Sequence, residues 1–154
     1  MRLTRAGEYG IRCVLHLARH GKGVLISRKE IAARTDVPAH FLAKIAQQLA
    51  RAGIIEILQG ANGGYRLLAD PSEITLLTVI EAIIGEISLN DCVARPNSCR
   101  NSTSCSVHRV WNKANQQLRA TLQEVDFATL DAEEACCLTP FPVAGGHNRA
   151  NGKK

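Results

Sequence analysis

Three cysteines and a histidine fall within seventeen residues, in the run Cys92-Val-Ala-Arg-Pro-Asn-Ser-Cys99-Arg-Asn-Ser-Thr-Ser-Cys105-Ser-Val-His108. Thiolates and imidazoles are the donors of zinc sites and of iron-sulfur clusters. Between them lie Pro96, Asn97, Asn101 and a Ser/Thr run with no helical or strand period. Such a loop has little to bury, so a bound inorganic centre is the natural way to order it. A disulfide scaffold is the other use of clustered cysteine, but it belongs to small secreted chains. Here Met1-Arg-Leu-Thr-Arg opens without a secretory apolar run, and no apolar stretch approaches eighteen residues. That predicts a cytoplasmic protein with no membrane partner, whose thiols stay reduced and free to ligate.

Three Cys and one His satisfy tetrahedral zinc, and also a cluster with one nitrogen ligand. Structural zinc sites usually begin with a tight cysteine pair. The gaps here hold six and then five residues, and these wider loops favour a larger inorganic core over a single ion.

The elements that must position this loop can be read outward from it. At 154 residues with 4% aromatics, the chain has room for one domain or two small ones around an aliphatic core. Its net charge of +5 is unevenly spread. Residues 1–70 hold eleven Lys/Arg against five Asp/Glu, giving +6, and residues 71–135 hold five against nine, giving −4. A basic first half points to a polyanion.

Residues 3–20 carry Ile11, Val14, Leu15 and Ala18 at helical spacing, with Arg5, Glu8, Arg12 and Arg19 elsewhere around the helix, and Gly21 and Gly23 end it. Cys13 reads as a small buried residue. Ser27-Arg-Lys-Glu30 is a capping box for a short helix through about Arg34. Asp36-Val37-Pro38 turns the chain, and Pro38 begins a helix that stops at Gly53. In that helix Phe41, Leu42, Ile45 and Leu49 form an apolar stripe, leaving His40, Lys44, Gln47, Gln48 and Arg51 outside. Two helices joined by a tight turn, the second basic on its outer face, describe a helix-turn-helix. Ile54–Leu58, the turn from Gln59 to Gly64, and Tyr65–Leu68 then predict a β-hairpin wing. Arg28, Lys44 and Arg51 are placed to contact phosphates, while His40, Gln47, Gln59 and Asn62 could reach base edges. Glycines at the wing tip would allow close approach to DNA.

Asp70-Pro71 marks a boundary. Thr75 caps a helix in which Leu76, Val79, Ile80 and Ile83 share a face, and Gly85 ends it. After the cysteine loop, Ser106 to about Val125 predicts a long helix. Its Val107, Trp111, Ala114, Leu118, Thr121 and Val125 form a coiled-coil seam, suited to a homodimer rather than to the chain's own core. The expected organisation is a DNA-binding unit over 1–70, a cluster loop and dimerisation helix over 71–135, and a disordered tail over 136–154. Cys136 and Cys137, adjacent to each other, are poorly placed to ligate one centre, and His16, His20 and His147 are assigned no ligand role.

Met1-Arg-Leu-Thr, Gly7-Glu-Tyr9, the helix-turn-helix ending at Ala52-Gly53, the Gly60-x-x-Gly-Gly-Tyr65 wing and the Cys92, Cys99, Cys105, His108 series resemble the Rrf-two (Rrf2) family of bacterial winged-helix regulators. The likeness, over residues 1 to about 135, extends to its IscR-like and NsrR-like iron-sulfur branches. It implies a mainly α fold with a small β-hairpin wing, and a dimer carrying a 2Fe-2S cluster, or alternatively a 4Fe-4S one, near the base of the long helix. The IscR-like pattern maps the fourth ligand onto His108, whereas the NsrR-like pattern maps it onto Glu8 of the partner subunit. Ala43 and Gln59 depart from the IscR-like pattern, so the target DNA sequence does not transfer. The expectation is a cluster-switched, sequence-specific transcription regulator acting on double-stranded promoter DNA. Its rivals are a winged-helix regulator with a structural zinc and a protein-interaction module. No nucleophile, base and orienting group come together in the sequence, which argues against an enzyme.

Overall fold

The computed structural model describes residues 4–101 and 104–136. Of the expected disordered tail over 136–154, Cys136 ends the last described helix, and residues 137–154, with Cys137, lie outside the described residues. Among the described residues, seven α-helices and one two-stranded antiparallel sheet follow in the order α1 (Arg5–His20), α2 (Arg28–Thr35), α3 (Ala39–Arg51), β1 (Ile55–Leu58), β2 (Gly64–Leu67), α4 (Leu76–Ile84), α5 (Asp91–Ala94), α6 (Ser106–Glu124) and α7 (Phe127–Cys136). The fold is mainly α with a hairpin wing. No described helix is long and apolar enough to cross a membrane.

The helix ends follow local chemistry. Thr4 and Thr75 accept from the backbone N–H groups of Gly7 and Thr78, capping α1 and α4. Ser27 accepts from Glu30 N–H at 3.2 Å, but the reciprocal bond of the expected capping box is not formed. The complete box lies instead at Asp70 and Glu73, where it closes a short 3-10 turn beginning at Pro71. Gly85 ends α4 at φ 83°, and Asp36 turns α2 into α3 in the left-handed region, φ 55°.

A single main core runs through the N-terminal and C-terminal parts, joining Cys13, Val14 and Leu17 of α1, Leu42, Ile45 and Leu49 of α3, Leu67 of β2, Val79 and Ile83 of α4, and Phe127 of α7. Burying each large aliphatic or aromatic chain contributes about 1.5–3 kcal/mol. Burial pushes the Cys13 thiol up to about 12, so this cysteine is neutral and unreactive. Where α1 crosses α4 the backbones approach closely, and a Cβ at Gly10 would stand 2.8 Å from Ile83 Cγ1.

Three packing details differ from the pattern read in the sequence. Phe41 is 42% exposed and lies against Tyr9, ring centroids 5.8 Å apart, because the four chains filling the floor of α3 are Leu42, Ile45, Ala46 and Leu49. Gln48 is not an outer residue: its Nε2 donates to the Ile83 carbonyl at 2.9 Å, satisfying a group at the C-terminal end of α4. The predicted seam of α6 is divided. Leu118 packs with Leu122 against a second cluster of Leu77, Ile80 and Ile87, whereas Val107 and Trp111 stay exposed, as does Val110 beside them.

Helix α7 is an element the sequence reading missed. Asp126 accepts from Thr129 N–H at 2.7 Å to cap it. The Thr75 and Asp126 backbones form a bridge, with Leu76 N–H to Val125 O at 2.8 Å and Phe127 N–H to Ile74 O at 3.0 Å. The helix then lies along α1, where Arg19 pairs with Asp131 and Glu134.

Candidate metal centre and nucleic-acid interface

The cysteine loop is framed before it begins. Glu81 of α4 accepts from Ile87 N–H at 2.9 Å and pairs with Arg119 of α6. Asn115, the one buried residue of α6, accepts from Leu89 N–H through Oδ1 at 3.1 Å. The entry to the loop is therefore fastened to both α4 and α6. Asn115→Ala would strand the Leu89 N–H without a partner, and we expect a loss of about 1–3 kcal/mol in the denaturant midpoint analysis.

Cys92 is half-buried on α5, and Cys99 is exposed just after a 3-10 turn at Pro96–Ser98. Cys105 is the N-cap of α6, its sulfur accepting from His108 N–H at 3.4 Å. All three are free thiols. His108 is half-buried in the first turn of α6; its Nε2 meets the Asn112 amide at 3.1 Å, while Nδ1 is buried without a hydrogen-bond partner. The four donors belong to one segment, but no three of them come within 4.8 Å of one another. Glu8 is exposed in the first turn of α1 and joins no two of these donors within 4.8 Å.

The second candidate surface is α3 with the wing. His40, Lys44, Gln47 and Arg51 are all exposed. Their spacing of four, three and four residues places them in one stripe, opposite the buried Leu42, Ile45, Ala46 and Leu49. Arg28, exposed at the start of α2, lines with Lys29, Ala43 and Tyr65 a cavity of about 350 Å³ between the helix pair and the wing.

The wing pairs Ile55 with Leu67, Glu56 with Arg66, Ile57 with Tyr65 and Leu58 with Gly64. Arg66 is neutralised by Glu56 at 2.6 Å. Gln59 and Asn62 are exposed at its tip. Two of its glycines serve the fold itself: a Cβ at Gly63 would stand 2.3 Å from Leu58 O, and one at Gly64 would stand 2.0 Å from Ile26 O. Bonds from Ile26 N–H to Tyr65 O at 3.0 Å and from Tyr65 N–H to Ile26 O at 2.9 Å seat the wing on the segment that leads into α2.

A helix pair with an exposed polar and basic stripe, followed at once by a seated hairpin, defines a winged-helix DNA-binding regulator. Residues 3–133 match the Rrf2 family, iron-dependent transcriptional regulators, and the chain belongs to that family. Over 130 residues it is 28% identical to the HTH-type transcriptional regulator IscR of Vibrio atlanticus, covering 84% of this chain and 75% of that one. The T. potens IscR structure superposes with a TM-score of 0.69 at 25% identity, over 91% of this chain and 94% of that one. The fold is shared too by CymR, the global cysteine regulator of B. subtilis, with a TM-score of 0.70 at 23% identity, over 86% and 97% of the two chains. These relatives are transcriptional regulators, not enzymes.

Proposed function

We propose that this regulator holds an iron-sulfur cluster through Cys92, Cys99, Cys105 and His108, and that as a homodimer it changes its grip on promoter DNA with the state of that centre. The observation that carries the reading is His108. Asn112 engages its Nε2 and leaves Nδ1 buried and unpartnered. With the Asn112 amide turned so that its oxygen accepts from Nε2–H, the ring is held through one nitrogen and Nδ1 is left bare to ligate. Three free thiols on the same loop complete a soft donor set, and the family's iron dependence agrees with it. A 2Fe-2S cluster is favoured over 4Fe-4S, with Glu8 of the partner subunit as the alternative fourth ligand.

When bound, the cluster supplies a redox-active and ligand-sensitive centre in an otherwise thinly packed loop. The chain's own residues do the rest. Cys105 and His108 tie the loop to the base of α6, and Asn115 and Glu81 tie its start to α6 and α4. Val107, Val110 and Trp111, exposed along the first half of α6, form the dimer seam. Residues 1–70 act as the DNA-reading part and 71–135 as the sensing and pairing part. On DNA, Arg28, Lys44 and Arg51 contact phosphates, and His40, Gln47, Gln59 and Asn62 reach base edges. The reading places the protein in the cytoplasm, where thiols remain reduced.

The test is promoter-DNA affinity of protein isolated without oxygen, compared before and after iron removal, across a range of salt. The two forms should differ about tenfold or more, which needs only about 1.4 kcal/mol of differential binding. The slope of log K against log salt should become shallower by about 0.9 for each of Lys44→Ala and Arg51→Ala. Equal affinities for the loaded and stripped forms would leave a constitutive DNA binder. A flat salt profile would point to a protein partner instead.

A further inference from the structure

We propose a second metal site, formed by His16, His20 and Glu30, that takes a divalent first-row transition ion and clamps α1 to the first helix of the helix-turn-helix. None of these residues belongs to the cysteine loop, so the site is separate from the centre proposed above.

His16 and His20 stand one turn apart on α1, with ring centroids 5.1 Å apart and planes at 71°. Glu30 comes from the first turn of α2. A ring nitrogen of each histidine and a carboxylate oxygen of Glu30 all lie within 4.8 Å of one another, the only such group of three or more potential ligands among the described residues. Two imidazoles at i and i+4 with a carboxylate from a neighbouring element make a borderline donor set. Such a set suits zinc or ferrous iron better than magnesium or calcium.

Two independent features show that these side chains are not already employed. His16 is only 7% exposed, and its Nε2 is buried with no hydrogen-bond partner. Glu30 gives its backbone N–H to Ser27, yet its carboxylate forgoes the reciprocal capping bond and lies among the imidazoles. Burial, and after it the charge of His20, push the His16 imidazole below its ordinary value, against a smaller opposing pull from Glu30. The neutral ring, which is the ligating form, is thereby favoured. Arg19 and Arg34 also press in this direction, but Asp131 and Glu134 offset the Arg19 charge.

Ligands about 2.0–2.2 Å from a tetrahedral ion stand about 3.3–3.6 Å from one another. Closing from the present spacing asks only for rotation of His20 and Glu30, both exposed. Because α2 carries α3 through the Asp36 turn, an ion here would hold the DNA-reading helix pair against α1.

The experiment is a calorimetric titration of Zn²⁺ into the full chain carrying Cys92→Ala, Cys99→Ala, Cys105→Ala, Cys136→Ala and Cys137→Ala, so that no thiolate competes and only the buried Cys13 remains. It is repeated with His20→Gln or Glu30→Gln added, exposed positions at which neither change opens the core. One Zn²⁺ per chain should bind, with affinity falling at least tenfold in either variant and the Zn²⁺-induced rise in Tm disappearing. No binding, or binding undiminished by both variants, overturns the site. Should the cysteine-substituted chain fail to fold, Co²⁺ is added to the intact chain and to its His20→Gln variant. Their difference spectrum should show ligand-field bands without sulfur-to-cobalt charge transfer, and a null difference refutes the proposal.

Discussion

Cys99→Ala should yield a colourless protein that keeps its fold and loses the iron-dependent change in DNA affinity. Cys99 is exposed and sits just beyond a single 3-10 turn, outside both apolar clusters. Trimming it to Ala removes a sulfur from solvent, and surface changes of this kind shift stability by about 0.5 kcal/mol or less. Its thiolate, however, is one of four donors to the proposed cluster. Iron content should fall close to zero, and the variant should bind promoter DNA with the affinity of stripped wild-type protein, about tenfold or more from the loaded form. Absorption of the anaerobically isolated protein, its melting curve and a DNA titration read the three quantities separately. A structural zinc predicts a different outcome: bound zinc in the wild type, no colour in either protein, and loss of folding in the variant.

Gly64→Ala should cost about 3 kcal/mol or more, among the larger effects of any single methyl in this chain. The added carbon would meet Ile26 O at 2.0 Å and Ile26 C at 2.7 Å, both backbone atoms. Neither strand can step back without breaking the paired bonds between Ile26 and Tyr65, and Tyr65 itself is 2% exposed in the core. Relief therefore means lifting the wing off the segment that enters α2. We expect a Tm lower by about 6–12 °C, with weaker DNA binding even where the helix pair persists. Unchanged melting would show that the wing is not seated as described.

What was legible in the sequence was whatever is decided by neighbours in the chain. The Thr75 cap, the stop at Gly85, the turn at Asp36-Val37-Pro38 and the outward stripe of α3 depend on residues at most a few turns apart, and the structure has them where local rules put them. The wing strands are displaced by about a residue at their ends, as is usual where pairing begins and ends. Contacts made across the fold were not legible. Nothing near Gln48 indicates that its amide will meet the end of α4, and nothing near Glu30 indicates two imidazoles from α1. Helix α7 leaves little trace in the sequence because its apolar pattern is short. Asp126, three residues before Thr129, and the Phe127 and Leu130 pair were the available signals. The candidate cluster residues were visible from their spacing, whereas the supports beneath them, Asn115 and Glu81, carry no sequence signature.

The close crossing of α1 and α4 at Gly10 bears on how a message could leave the proposed sensing loop. With Ile83 pressed against the Gly10 backbone and one main core joining α1, α3, α4 and α7, these four helices, among the described residues, form a block that does not flex cheaply. In the proposed homodimer a change at the loop would then be expressed as a shift of one copy against the other. Operators differing only in the number of base pairs between their two arms should then rank differently for the loaded and stripped forms, while each arm alone would be read alike.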